Sequence, residues 1–290
     1  MKSMDDKGKL VSIQKEVNLN EVDNPYSRIG LFRAVAKVIR EDTMESVNIH
    51  SKKVYPRTSF YTKYGKRILD IIISSIAILV AFPVNLLIGI ITFFDVGYPI
   101  FFRQERLGKD GKVFTITKFR NMTNEKDKNG DLLPAEQRVT KFGYYVRKTS
   151  LDELLNFWSI LKGDMSVIGP RPLEPVYNDR YSERHKMRMA VRPGLECPIL
   201  YETKQKITWY RQFENDIYYV ENVSLILDLK MAVSLVKMVF NKERNSIRGA
   251  SARGGFVGYT LGGDTISSHR VPAKYVEKAL ELLADSETCN

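Results

Sequence analysis

The chain has 290 residues, 43% of them hydrophobic, enough for one or two domains with real cores. Its net charge of +11 calls for an anionic partner, and charge alone does not choose among nucleic acid, acidic lipid and a phosphate-bearing substrate. Two cysteines, Cys197 and Cys289, make no disulfide framework, and three scattered histidines without a CxxC pair argue against a zinc site.

Residues 1–60 are polar and mixed in charge, and the opening MKSMDDKGKL has no apolar h-region, so no cleavable signal peptide is expected. Arg28 to Arg40 predicts a helix with Ile29, Phe32, Val35, Ala36 and Ile39 on one face and Arg33, Lys37 and Arg40 on the other. Such a helix either lies on an acidic membrane surface or packs on the main domain. Ile71 to Phe94 carries no charged side chain. A membrane helix needs about 20 apolar residues, and a core helix is rarely apolar over such a length. Basic residues flank the segment on both sides: Lys63, Lys66 and Arg67 before it, and Arg103, Arg106 and Lys109 after it. Positive charge favours the cytoplasmic side, and Pro83 near the middle removes a backbone donor. The expectation is a re-entrant hairpin bent at Pro83, with an ordinary kinked spanning helix as the alternative.

Tyr98–Gln104 and Lys112–Phe119 predict a β-hairpin around Gly108-Lys109-Asp110-Gly111, in which Asp-Gly suits a tight turn. The GKDGK string lacks the ending of a P-loop and precedes a strand. Residues 121–135 read as a loop. A helix is expected from Ser150, with Leu151, Leu154, Leu155, Trp158 and Leu161 on one face and Gly163 as its stop. Ser150 and Glu153 have capping-box spacing, so the acids of its first turn have a structural explanation as well as a chemical one. Gly169-Pro170-Arg171-Pro172 must be an irregular turn. Val223–Phe240 reads as a largely apolar helix, 245–268 as a Gly/Ser/Arg-rich linker and Pro272–Ala284 as a short last helix.

Four runs occur together: Pro99–Phe114 (PIFFRQERLGKDGKVF), Lys118–Met122 (KFRNM), Leu151–Leu154 (LDEL) and Lys162–Pro172 (KGDMSVIGPRP). In order and spacing they resemble the bacterial sugar transferase family, the monotopic polyprenyl-phosphate phosphoglycosyl transferases. The resemblance runs from about Tyr64 to Phe240, and Pro83 falls where that family has its re-entrant membrane helix. The resemblance implies transfer of a sugar-1-phosphate from a UDP-sugar to polyprenyl (undecaprenyl) phosphate with release of UMP, which initiates cell-surface polysaccharide or glycoconjugate synthesis. It implies that Asp152 is the nucleophile and forms a covalent phosphosugar, and that Glu153, with Asp152, binds Mg2+ or Mn2+. Arg171, stiffened by two prolines, is the first candidate for a phosphate clamp; Arg147, Arg106, Lys118 and Arg120 are further candidates that would otherwise contact lipid headgroups.

The sequence departs from the family pattern at Leu155-Asn156-Phe157 and, more seriously, at residues 195–203, where a Gly-containing stretch ending in Gly-Arg is usual. The second departure leaves the sugar open. Trp209, Arg211, Asp216, Tyr219 and Asp228 resemble the later part of the pattern, and core packing and a salt bridge explain them best.

The expected fold is α+β: a re-entrant membrane helix hairpin plus a small cytoplasmic α/β domain with amphipathic interfacial helices. The division expected is a polar extension at 1–60, the membrane helix at 61–97, a catalytic domain at 98–244 and a linker with a short helix at 245–290. The chain reads as a short form without the four-helix membrane region of larger relatives, and its tail as dispensable for catalysis. Expected partners are a UDP-sugar, polyprenyl phosphate and acidic membrane lipid at the cytoplasmic face of the bacterial inner membrane, and no nucleic acid. A non-enzymatic lipid-binding protein would share the charge and the apolar segment but not the Asp-Glu and Gly-Pro-Arg-Pro motifs.

Overall fold

The computed structural model describes residues 2–4, 10–12, 15–22, 27–126, 133, 135–199, 208–240 and 253–288. Of the expected loop at 121–135, residues 127–132 and 134 lie outside these; so do 245–252 of the expected linker and 200–203 of the departure from the family pattern. Helices mix with two-stranded sheets, and among the described residues only one pair is parallel.

Strands β1 (Lys2–Met4) and β2 (Leu10–Ser12) pair with each other, and β3 (Glu16–Val17) follows. Ser27 then caps α1 (Arg28–Ile49) by accepting a hydrogen bond from the Gly30 amide at 3.1 Å. The helix outruns the expected end at Arg40. Its inward positions continue in steps of four as Val35, Ile39, Thr43 and Val47, and Thr43 returns its hydroxyl to the Ile39 carbonyl at 2.8 Å. Of the two readings of this helix, packing on the main body is the one realised. Leu31, Val35 and Ile39 are fully buried, so these apolar side chains are not available to a lipid surface.

After a π-helical turn at Tyr61–Gly65 comes α2 (Lys66–Val96). It is long and apolar enough to cross a membrane by length and composition. The sequence expectation was a hairpin bent at Pro83; helical backbone runs on through Pro83, so the two expected arms are one helical segment of 31 residues. The Leu79 carbonyl, four residues back, has no N–H to receive there. Asp70, Ser74, Ala81, Ile88 and Thr92 are the buried positions, spaced by fours and sevens along one face. Leu79, Phe82 and Phe94 remain exposed.

Both ends of α2 are fastened to the same body. Arg67 donates to the carbonyls of Ile160 and Leu161 at 2.6 and 2.7 Å, and Asp70 accepts from the Ser166 hydroxyl and Val167 amide at 2.9 and 3.0 Å. At the far end Thr140 donates to Asp95, and Arg120 donates to the carbonyls of Val96 and Gly97.

The expected hairpin is present as β4 (Phe101–Leu107) and β5 (Val113–Phe119), in register from Phe101↔Phe119 to Leu107↔Val113. Asp110 and Gly111 turn it with φ of 55° and 75°, which is why Asp-Gly stands there. Then follow α3 (Ala135–Arg138), α4 (Lys141–Lys148), α5 (Asn156–Lys162) and β6 (Ser166–Ile168). After α6 (Glu183–Lys186), β7 (Gly194–Glu196) lies parallel to β6. A Cβ on Gly194 would stand 2.2 Å from the Gly169 nitrogen, so this close backbone approach requires glycine. Helix α7 (Trp209–Asn222), unmarked in the sequence reading, is capped by Thr208 and leads into α8 (Leu225–Phe240).

The expected linker does not hold over its described part: β8 (Phe256–Tyr259) and β9 (Thr265–Ser267) form a hairpin there. Strand β10 (Val271–Pro272) pairs with β3, and α9 (Ala273–Thr288) closes the chain as the expected last helix. The two chain ends thus share one core of Leu19, Leu31, Val35, Ile39, Val257 and Tyr275. Phe256 and Tyr259 reach from the same strand into a second core with Tyr181, Trp209 and Phe213, because β8 is buried on both faces.

That packing gives the tail a part in stability, a separate matter from whether catalysis needs it. Phe256→Ala is expected to cost about 3–5 kcal/mol in unfolding free energy measured in detergent. A chain ended at Lys242, which loses β8 and α9, is expected to unfold at lower temperature than the full chain; equal stability would show that the second core stands without β8.

Candidate active site

Asp152 and Glu153 lie on a single 3-10 turn, Leu151–Glu153, between α4 and α5. The expected helix start at Ser150 is displaced: the α-helix begins at Asn156. Ser150 is left-handed (φ 56°, ψ 22°), and its side chain caps nothing. The Glu153 amide instead donates to the Ser150 carbonyl at 3.1 Å, so the capping box is not formed and the structural explanation of the two acids falls away.

Two cations converge on the acids. Lys118, on β5, places its ammonium 3.3 Å from Glu153 Oε1 and 3.7 Å from Asp152 Oδ2. Arg171, from the Gly-Pro-Arg-Pro turn, donates through one terminal nitrogen to the same Glu153 oxygen. Its other terminal nitrogen donates to the Leu195 carbonyl at 3.1 Å and lies 3.7 Å from Glu196 Oε2. Burial pushes the Glu153 carboxyl up, but Arg171 and Lys118 outweigh it and hold the group at about 2. Asp152 differs. It is 7% exposed, and burial pushes its carboxyl above the usual range, with the Lys118 charge opposing and the Glu153 charge adding. Asp152 is thus not at the start of an α-helix that would favour its charged form; Lys118 is its ion-pair partner, and Arg147 assists at longer range.

The other predicted cations separate. Arg106, on β4, faces Glu174 at 3.6 Å and donates to Gln104, with its charge near but not touching the acids. Arg147, on α4, is exposed. Arg120 closes the C-terminal end of α2 through the Val96 and Gly97 carbonyls, a structural task. Asp216 and Asp228 take the expected structural roles: Asp216 pairs with Arg188 at 2.7 Å, and Asp228 accepts from Lys66 at 2.6 Å and Tyr219 at 2.7 Å. Sequence reasoning missed Glu196, which β6–β7 pairing sets opposite Ile168 and so beside the Pro-Arg-Pro turn. A charged residue just after Arg192-Pro193-Gly194 was the available signal.

Among the described residues no cluster of three or more His, Cys, Asp or Glu forms an all-protein metal cage. Magnesium does not need one; it takes one or two carboxylates together with substrate phosphate oxygens. The hard oxygens of Asp152 and Glu153 fit that donor set, and both cationic hydrogen bonds fall on Glu153 Oε1, leaving Oε2 outside them.

A largely apolar cavity of about 1140 Å3 lies between α2 and the hairpin; Asp152 and Glu153 do not line it, but Leu155, three residues after Asp152, does. Phe82, Leu86 and Phe93 line it from α2; Leu155 and Trp158 line it from the turn and helix that follow Asp152.

The sequence profile of the family described as bacterial sugar transferase matches residues 61–242. An uncharacterized sugar transferase of Bacillus subtilis (strain 168), EpsL, is 45% identical over 148 residues, 51% of this chain and 73% of that protein. A Klebsiella pneumoniae protein named UDP-glucose:undecaprenyl-phosphate glucose-1-phosphate transferase is 36% identical over 189 residues, 61% of this chain and 41% of the relative. An Aeromonas hydrophila protein named UDP-N-acetylgalactosamine-undecaprenyl-phosphate N-acetylgalactosaminephosphotransferase is 34% identical over 202 residues, 65% of this chain and 45% of the relative. The chain spans less than half the length of these last two. Asp152, Glu153, Lys118 and Arg171 lie inside the matched span; α1, β8 and α9 lie outside it.

The depressed Glu153 carboxyl sets a pH dependence. Its folded value lies below its unfolded 4.5, so the stability it contributes is present above that pH and is lost as pH falls through about 2. Unfolding titrations should find Glu153→Gln less stable than the parent at pH 7, with the gap narrowing below about pH 4.5. A gap that stays constant or widens on acidification would mean that Glu153 is not held by Arg171 and Lys118.

Proposed function

The chain belongs to the bacterial sugar transferase family, and on that premise we propose that it transfers a sugar-1-phosphate from a UDP-sugar to polyprenyl phosphate through Asp152. One observation carries the proposal: a buried aspartate, its carboxyl pushed up by burial, shares a lysine with a strongly ionised glutamate, and the helix that follows them lines an apolar cavity bounded by α2. A buried carboxylate whose only close cation is shared is less fully neutralised than one in a private salt bridge, which leaves it nucleophilic.

In the proposed first half-reaction an Asp152 carboxylate oxygen attacks the phosphorus that bears the sugar. The Asp152–phosphorus bond forms, the bond to the bridging oxygen breaks, and UMP leaves with that oxygen. In the second, an oxygen of polyprenyl phosphate attacks the same phosphorus, the carboxylate departs, and polyprenyl-diphosphate-sugar is released. Lys118 and Arg171 hold the phosphate oxygens on which charge builds. Arg171 is half-exposed and so able to turn from Glu153 towards the arriving phosphate. A magnesium or manganese ion on Glu153 and Asp152 would supply further neutralisation of the diphosphate. The apolar cavity suits the acceptor's hydrocarbon chain, since it lies between the most hydrophobic helix and the helix that follows the nucleophile.

The same reading places the protein at the cytoplasmic face of the inner membrane, at the first step of a cell-surface polysaccharide. Support comes from α2, both of whose ends are hydrogen-bonded to one charged body, an arrangement that favours a helix returning to the side it entered over one that delivers an end across the bilayer. Ile226, Leu229, Val233 and Val236 form an exposed apolar row on α8, with Lys230 and Lys237 close by; this suits a helix at the level of acidic headgroups.

Two measurements test the reading. Purified enzyme incubated with UDP-sugars and divalent metal, without lipid, should release UMP and gain a phosphosugar mass on the peptide containing Asp152. Asp152→Asn should abolish both. Full turnover without either adduct or lipid-independent UMP release would establish direct attack by the lipid instead. For topology, single cysteines at Lys63 and Lys109, with Cys197 and Cys289 replaced, should both resist an impermeant thiol reagent on intact cells and react in inside-out vesicles. Labelling of one site from outside would establish a true span.

A further inference from the structure

Arg171 stands in a run that cannot hold its own shape. Pro170 and Pro172 carry no N–H, so the turn can form neither helix nor a continuous ladder, and its carbonyls need donors from elsewhere. The structure supplies one to each of three. The Gly194 amide donates to the Pro170 carbonyl at 3.0 Å, and the Leu107 amide donates to the Leu173 carbonyl at 2.8 Å. The carbonyl of Arg171 itself receives the side chain of Arg188 at 2.8 Å.

Arg188 is 3% exposed, and it is anchored as firmly as it anchors. Its Nε and one terminal nitrogen donate to Asp216 Oδ2 at 2.9 and 2.7 Å, and its other terminal nitrogen donates to the Tyr181 hydroxyl at 3.3 Å. Asp216, on α7, is completely buried and also accepts from Gln212 at 3.2 Å. A buried ion pair contributes little stability over a well-packed apolar pair, so stability alone is a weak reason for this one. Its geometry offers a better reason. A planar guanidinium can bond Asp216 along one edge and still present a donor to the Arg171 carbonyl, which an ammonium cannot do in the same geometry.

We propose that Arg188, fixed by Asp216, is a positioning residue for Arg171: it holds the backbone from which the Arg171 guanidinium reaches Glu153 and, in the reaction proposed above, the substrate phosphate. The proposal rests on that reading only for its kinetic consequence. The structural consequence, a looser Pro-Arg-Pro turn, stands apart from it.

The test uses full-length protein in detergent or nanodiscs. Arg188→Lys keeps the charge beside Asp216 and gives up the bridging donor; Asp216→Asn is a second variant that removes the anchor without changing its size. Ile217→Val, a buried neighbour on α7, controls for general loss of stability. Hydrogen exchange of the peptide spanning residues 165–174 should be faster in Arg188→Lys and Asp216→Asn than in Ile217→Val at matched thermal stability. UMP release should fall about 10- to 100-fold in kcat/KM in Arg188→Lys, the scale of a misplaced catalytic group. In an Arg171→Ala background the same substitution should change it by less than about twofold, because coupled residues are not additive. Equal losses in both backgrounds, or exchange no faster than in the control, would reduce Arg188 to a structural residue and overturn the proposal. If the parent releases no UMP from any UDP-sugar, the functional reading fails, and the exchange result decides the positioning role by itself.

Discussion

Two neighbouring carboxylates withdrawn from water must be given cations or lose their charge. That demand organises this site. Glu153 takes Arg171 and a share of Lys118; among the described residues Asp152 has the remainder of Lys118 and the more distant Arg147. The result is asymmetric: one acid is held ionised far below its ordinary range, while burial dominates the other. A strongly held acid suits binding and orientation; a less neutralised one suits attack on phosphorus. Each cation must then be delivered from a different part of the chain, and the surrounding architecture does this. Lys118 comes on the β4–β5 hairpin, the acids on the turn between α4 and α5, and Arg171 on the proline-stiffened turn after β6.

Delivery depends on backbone fixed from outside. The close approach at Gly169 and Gly194, the amide of Leu107 and the buried guanidinium of Arg188 together define where Arg171 starts. The region around that turn is in turn packed by the chain ends. Arg180 donates to the Phe256 carbonyl at 2.7 Å, Arg40 pairs with Asp179 at 3.1 Å, and the Tyr259 hydroxyl accepts from the Ser182 amide at 3.2 Å. Segments outside the matched span are therefore part of the frame around the Pro-Arg-Pro turn.

The long apolar helix obeys a different constraint. Helix α2 is exposed over much of its apolar surface, yet its buried positions include Asp70 and Thr92, and polar side chains at both ends bond to the catalytic body. An apolar exterior and a buried face that carries polar side chains thus share one helix, and the apolar cavity lies between that helix and the hairpin.

Much was legible in the sequence because it depends on local chemistry. The uncharged run at 71–94, the Asp-Gly hairpin turn, the stop at Gly163 and the Asp-Glu and Gly-Pro-Arg-Pro motifs are each written in a few adjacent residues. The +11 charge pointed to an anionic partner in the same way, without choosing among them. What the tertiary structure decided involves residues far apart in the chain. A helix start at Ser150 was the reasonable local reading, but a left-handed Ser150 leads into a 3-10 turn, and the charge beside Asp152 is that of Lys118, 34 residues earlier in the chain. Arg120 and Arg171 look alike as arginines beside motifs, yet one closes a helix and the other reaches an acid. The tail read as a linker because glycine and serine set local flexibility, whereas the burial of Phe256 and Tyr259 depends on partners in α1 and α7. Sequence alone determined which chemical groups this protein owns. Only the fold decided which of them meet, because desolvation and charge pairing act through space over a few ångströms and take no account of separation along the chain.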